Sequence, residues 1–163
     1  IVRAFEAVKD SFDPDGIFNP GKIVRPPRMD DRRLMRFPED YATPPVATAL
    51  DWSAWGGLPA ATEMCNNNGH CRKFDAGTMC PSYRVTRDEK HLTRGRANTL
   101  RLALSGQLSG ELGPDAFTSD AMHETMDLCV GCKGCKRDCP TGVDMAKMKV
   151  TYRSARALWD RQQ

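Results

Sequence analysis

The sequence of 163 residues has no run approaching 18 consecutive apolar residues, so none of it reads as a membrane-spanning helix. It also has little charge of one sign. Twenty-four Lys and Arg against 21 Asp and Glu leave a formal net charge of +3. That balance, with no aromatic interleaving and no known nucleic-acid motif, argues against a nucleic-acid partner. Aromatics are 7% and apolar residues 40%, a thin supply for a core. There is no G-x-G-x-x-G, no P-loop and no Ser, His and acid arrangement that stands out. His123-Glu124 begins like a zinc-protease signature, but Asp127 stands where its second His would be. The chain starts at Ile1 without a basic-then-apolar leader, which we read as a cut from something longer with no signal peptide. No cysteine lies outside two short windows: Cys65, Cys71 and Cys80, then Cys129, Cys132, Cys135 and Cys139. An odd count with C-x2-C spacing argues against a secreted disulfide framework and for metal binding in a reducing, cytoplasmic compartment.

Residues 1 to 12 read as an amphipathic helix, with Ile1, Phe5, Val8 and Phe12 on one face. Asp13-Pro14-Asp15-Gly16 stops it, and Asn19-Pro20-Gly21 makes a second turn. A helix this short needs something to cover its stripe. Residues 23 to 50 carry five prolines and a mixed charge run from Arg28 to Arg36, which predicts an extended, solvated connector. Trp52, Trp55 and Leu58 are placed to pin its end to the next domain. Ala60 to Met64 suits one helical turn, and Asn66-Asn67-Asn68-Gly69 a tight loop. A helix is expected over 93 to 109, capped by Thr93 and stopped by Gly110 and Gly113-Pro114. Another is expected from about Ala116 to Leu128. The last helix is the clearest. Thr141 and Asp144 resemble a capping box, and Met145, Met148, Tyr152, Ala155 and Trp159 follow at three and four. Residues 60 to 163 show no convincing strand alternation, so that half is expected to be all-α.

The second window is Cys129-Val-Gly-Cys132-Lys-Gly-Cys135-Lys-Arg-Asp-Cys139-Pro140. This is C-x2-C-x2-C-x3-C-P, the run that holds a [4Fe–4S] cluster in bacterial-type ferredoxins. Three thiolates at this spacing can curl round one face of a cubane. Gly131 and Gly134 keep Cβ atoms away and free backbone N–H groups for the sulfides. Pro140 turns the chain toward the next helix. A zinc site would instead show two C-x2-C pairs separated by a longer loop. In the first window Cys65, Asn68 and Cys71 fall on the first three positions, and Cys80-Pro81 follows after eight intervening residues. Two motifs each ending in Cys-Pro make a pseudo-repeat. In two-cluster proteins the fourth cysteine ligates the other cluster. Crossing the fourth ligands therefore assigns Cys129, Cys132, Cys135 and Cys80 to one cluster, and Cys65, Cys71 and Cys139 to a second with an open corner. Three thiolates can hold a [3Fe–4S] cluster. In a [4Fe–4S] cluster the fourth iron would take Asn68, His70 or water. Against ligation, Asn68 reads as a turn former and His70 as a locally bonded loop residue.

Basic residues surround both windows. Residues 81 to 110 hold Arg84, Arg87, Lys90, Arg94, Arg96 and Arg101, and residues 129 to 153 hold Lys133, Lys136, Arg137, Lys147, Lys149 and Arg153. Each reads first as part of a solvated helix face. Collectively they would raise the potential of an anionic cluster or dock an acidic partner.

Two stretches carry a family resemblance. Phe12-Asp-Pro-Asp-Gly-Ile-Phe-Asn-Pro-Gly-Lys22 resembles the end of the FAD-linked oxidase C-terminal domain, as in D-lactate and glycolate dehydrogenases. Cys65-Asn-Asn-Asn-Gly-His-Cys71-Arg, Gly77-Thr-Met-Cys-Pro81 and Cys129 to Pro140 resemble the iron–sulfur domain of large bacterial FAD/FMN-containing dehydrogenases. The resemblance implies a parent enzyme that oxidises a D-2-hydroxy acid, such as D-lactate or D-2-hydroxyglutarate, at an FAD bound upstream of Ile1. Electrons would leave through an α-helical ferredoxin domain to a downstream cysteine-rich domain, a quinone or a carrier protein. Such an enzyme would be cytoplasmic or peripheral at the inner membrane.

The expected organisation is an oxidase-domain tail over 1–25, a Pro-rich connector over 26–57, and an all-α dicluster ferredoxin module over 58–163. Its expected work is electron relay from reduced FAD, with cysteines as ligands and no catalytic residue in this chain. The alternative is a redox-silent module in which iron–sulfur or zinc only holds a scaffold together.

Overall fold

A computed structural model describes residues 1–112 and 115–161. All regular structure among the described residues is helical, with no strand. The chain forms two compact units, residues 1–41 and 42–163.

In the first unit, α1 (Val2–Phe12) ends where Asp13 takes over. The Asp13 carboxylate accepts from the N–H groups of Ile17 (2.9 Å) and Phe18 (3.0 Å) and pairs with Lys9. The Lys9 ammonium, then those two N–H groups, hold its carboxyl below the usual carboxylate range. The expected apolar stripe is present and exposed: Phe5, Val8 and Phe12, with Phe18 and Ile23, border an open groove.

In the second unit, Trp52 anchors the end of the Pro-rich stretch. Its side chain is buried and its Nε1–H donates to Thr151 Oγ1 at 3.0 Å. Lys147 lies over the Trp52 and Trp55 rings, 4.2 and 4.8 Å from their centroids. Among the described residues seven helices follow: α2 (Leu58–Glu63), α3 (Pro81–Thr86), α4 (Thr93–Leu104), α5 (Ser109–Leu112), α6 (Asp120–Asp127), α7 (Gly134–Asp138) and α8 (Met145–Asp160). The central element is α4, which packs on α2, α6, α8 and the 3-10 turn Glu89–His91. Its Leu100 and Leu104 meet Met122 and Met126 of α6 and Met145, Met148 and Tyr152 of α8 in one core that also holds Cys65, Cys71, Cys80 and Cys135. Each large apolar side chain buried there contributes about 1.5–3 kcal/mol. Gly95 lets α4 lie against the 3-10 turn, because a Cβ at that position would sit 2.0 Å from the Glu89 carbonyl oxygen.

Several boundaries differ from the expectations. Helix α4 stops at Leu104 because Gly106 adopts φ +75°, although Leu108 keeps the apolar period. Gly113-Pro114, expected as its stop, lies outside the described residues. Thr93 is the first residue of α4 and not its cap, which is Leu92. Helix α6 begins at Asp120, where the Ser119 hydroxyl accepts from Met122 N–H at 3.2 Å. The cap of α8 is Asp144, accepting from Lys147 N–H at 3.0 Å, and Thr141 plays no part in it. Pro81 opens α3 directly, whereas a turn separates Pro140 from α8. The short helices α3 and α7 flank cysteines, where no apolar repeat is long enough to announce them.

Candidate metal centre

The second cysteine window and Cys80 converge. Cys80, Cys129, Cys132 and Cys135 line one cavity with about 320 Å³ of space between atoms, part of it open to solvent. Pro81, Ser82, Thr93, Val130, Gly131, Met145 and Ala146 complete much of its wall. Cys80 and Cys135 are buried, Cys129 is half-buried and Cys132 is exposed.

Local chemistry explains how Cys80 reaches a window some fifty residues away. Asp138, beside Cys139, accepts at one carboxylate oxygen from Thr78 N–H (2.8 Å), Thr78 Oγ1 (2.9 Å) and Met79 N–H (3.3 Å). The Arg137 guanidinium and then these Thr78 donors hold its carboxyl well below the usual range. Gly134 leaves room for the clamped loop, since a Cβ there would meet Thr78 Oγ1 at 2.8 Å. The need for glycine at 134 thus comes from Thr78 as well as from the sulfur chemistry expected of it. Gly134 N–H also points at Cys132 Sγ, 3.5 Å away. Gly131 sits at φ +66°, a conformation that glycine adopts at least cost.

Two helix N-termini serve the two windows in the same way. Burial pushes the Cys135 thiol up, and the N–H groups of Met145 and Ala146, opening α8, act against that. Burial pushes Cys71 up to about 11, and the N–H of Arg94, opening α4, acts against it. Cys71 and Cys135 occupy the same place in the two motifs, so the pseudo-repeat extends to their surroundings. Left to themselves these thiols stay protonated. Metal coordination would remove the proton and make each N–H a donor to a thiolate.

In the first window Cys65 and Cys71 are both buried, close enough for each to feel the other's charge. Asn68 is exposed and builds the turn: its Oδ1 accepts from His70 N–H at 2.8 Å, and its amide donates to Asn66 Oδ1 at 2.6 Å. Asn67, at φ +64°, ties the loop to α4 by accepting from Asn98 Nδ2 at 2.6 Å. His70 is half-buried in a 3-10 turn with Cys71. Cys139 is half-buried, its sulfur 3.3 Å from Thr141 Oγ1.

Three residues escaped the sequence reading. Arg96, expected on a solvated face, is fully buried. Its guanidinium donates to His91 O (2.6 Å), Thr125 O (2.8 Å) and Ser82 Oγ (3.1 Å), and lies 3.7 Å from Cys80 Sγ. Among the described residues no carboxylate pairs with it. The spacing of Arg96 to Leu100 and Leu104, four residues each time, was the available signal. Lys149 is also buried, its ammonium held by the carbonyls of Asp127 and Cys129, each at 2.6 Å. The third is Thr93, whose hydroxyl is buried and has no hydrogen-bond partner among the described residues.

This donor set suits a polynuclear anionic group. Among the described residues no three His, Cys, Asp or Glu side chains stand close enough, as placed, to hold a single ion. Four thiols surround a space, beside the buried guanidinium of Arg96.

Comparison with known proteins agrees. Residues 61–143 match the 4Fe-4S dicluster domain family, and residues 2–23 match the FAD linked oxidases, C-terminal domain. The chain is 29% identical to a D-2-hydroxyglutarate dehydrogenase of Pseudomonas putida over 91% of its length. It is 32% identical to one of Escherichia coli over 89%, and 27% identical to one of Haemophilus influenzae over 89%. It spans only 17% of each of these relatives. No solved structure matches. The paired cysteine windows, the shared use of helix N-termini and the all-helical unit that carries them place this chain in the 4Fe-4S dicluster domain family.

Proposed function

We propose that the chain is the electron-transfer module of a flavin-dependent D-2-hydroxy-acid dehydrogenase, with D-2-hydroxyglutarate the favoured substrate of the whole enzyme. The observation that carries this is the convergence of Cys80 with Cys129, Cys132 and Cys135 on one cavity. Those four thiolates would hold a [4Fe–4S] cluster. Cys65, Cys71 and Cys139 would hold a second centre with an open corner, which we take as three irons; Asn68 is spent on its turn. When bound, such clusters accept and pass on single electrons.

The chain's own residues shape that relay. Met145, Ala146, Pro81 and Val130 keep water from part of the cavity, while Cys132 stands at its exposed side. Helix N-termini and buried cations offset the added negative charge. Residues 1–25 would complete an upstream FAD-binding part, whose missing surface covers the exposed stripe of α1. Residues 26–57 would connect it to the module at 58–163. No described helix is long and apolar enough to cross a membrane. The reading places the module in the cytoplasm, handing electrons to a downstream cysteine-rich domain, a quinone or a carrier.

The test is optical. Anaerobically prepared protein is expected to be brown and to bleach on adding dithionite. A colourless protein that dithionite leaves unchanged would favour the redox-silent scaffold and sink the relay.

A further inference from the structure

The Thr93 hydroxyl has no explanation within the protein. Thr93 is 2% exposed, its Oγ1 is buried, and no donor or acceptor among the described residues reaches it. A buried hydroxyl left without a partner costs about 1–3 kcal/mol. It does not serve as the cap of α4, the local use that threonine commonly finds at a helix start. Yet Thr93 lines the same cavity as Cys80, Cys129, Cys132 and Cys135. It also opens the helix that carries Arg96, whose buried charge lies 3.7 Å from Cys80 Sγ without a carboxylate partner among the described residues. Both groups fit one kind of occupant, an anion with sulfur acceptors.

We propose that Thr93 tunes the cluster held by Cys80, Cys129, Cys132 and Cys135 by donating its hydroxyl proton to a cluster or cysteinyl sulfur. This rests on the electron-relay reading and adds a residue that no cysteine motif contains. The direction follows from charge. Reduction adds one negative charge to the cluster, so a donor to sulfur stabilises the reduced form more than the oxidised one. The Thr93 hydroxyl therefore raises the reduction potential.

The experiment uses the full chain, reconstituted anaerobically with iron and sulfide, as wild type, Thr93→Val and Thr93→Ser. Valine keeps the shape and deletes a hydroxyl that the protein does not use, so folding and iron content are expected to hold. In Thr93→Val the equilibrium constant for reduction is expected to fall about three- to tenfold. That is a midpoint lower by about 30 to 60 mV at 59 mV per tenfold for one electron. Thr93→Ser is expected to stay at the wild-type midpoint. One hyperfine-coupled exchangeable proton beyond those of the backbone N–H donors, seen on the reduced cluster after transfer from H2O to D2O, is expected in wild type and Thr93→Ser and lost in Thr93→Val. An unchanged midpoint and proton coupling in Thr93→Val, with iron retained, would overturn the proposal alone and assign the hydroxyl to a buried water. A wild-type chain that takes up no iron and sulfide would overturn it together with the electron-relay reading.

Discussion

Replacing Cys80 with serine is expected to remove the cluster of the second window, about four irons. Replacing Cys139, which belongs to that window in sequence, is expected to leave it in place. The structural reason lies in how the Thr78–Cys80 loop is held. Asp138 fixes Thr78 and Met79, and Gly134 admits Thr78 at close range. The next residue, Cys80, then lines one cavity with Cys129, Cys132 and Cys135. Cys139 is on the far end of α7, with Thr141 beside its sulfur. Iron analysis and low-temperature EPR of the two variants check this. In Cys80→Ser the oxidised-state signal of the three-iron centre is expected to persist while the reduced-state [4Fe–4S] signal disappears. Cys139→Ser is expected to show the opposite. A Cys139→Ser protein that loses the reduced-state signal would mean that each window keeps its own cysteines and the crossing is wrong.

The second large effect is on folding. Stripping iron by chelation is expected to disorder residues 62–82 first and to lower the melting temperature by tens of degrees. From Met64 to Cys80 the buried residues are Cys65, Cys71, Met79 and Cys80. Three of those four anchors are thiols whose partner would be metal. The segment's regular structure is one 3-10 turn, His70–Arg72. Removing the metal leaves these thiols with weak polar neighbours and a thin core, and leaves Arg96 as a buried cation with no carboxylate partner among the described residues. Structural zinc is worth about 10–16 kcal/mol in zinc-finger peptides, which sets the scale for a metal-dependent fold. The whole stability of an ordinary domain is about 5–15 kcal/mol. Limited proteolysis of holo and chelated protein, with cut sites mapped, reads the result. Equal resistance of the two forms would show that the fold stands without its clusters.

The parts legible in sequence were those whose chemistry is local. Cysteine spacing declares itself along the chain, and the Met145, Met148 and Tyr152 stripe of α8 is periodic enough to predict a helix with a buried face. Trp52 stood out as an anchor because a large aromatic at the end of a Pro-rich stretch has few other uses. What stayed hidden depends on the third dimension. Arg96 has the composition of a solvated helix face and becomes a buried cation only because the Glu89–His91 turn, α6 and α3 close over it. Gly95 looks like a weak point in a helix and is instead where that turn touches α4. Thr93 reads as a cap, and only the packing of its neighbours leaves its hydroxyl idle. Leu108 misled by fitting the period of α4 across Gly106, where the backbone turns left-handed.

The most direct measurement is the content of iron, zinc and acid-labile sulfide per chain in anaerobically prepared protein, with EPR as prepared and after dithionite. The expected result is about seven irons, from one four-iron and one three-iron cluster, with a signal already present in the oxidised state. Zinc without sulfide would contradict the account at its centre, because four thiols round a cavity would then hold a scaffold and carry no electrons.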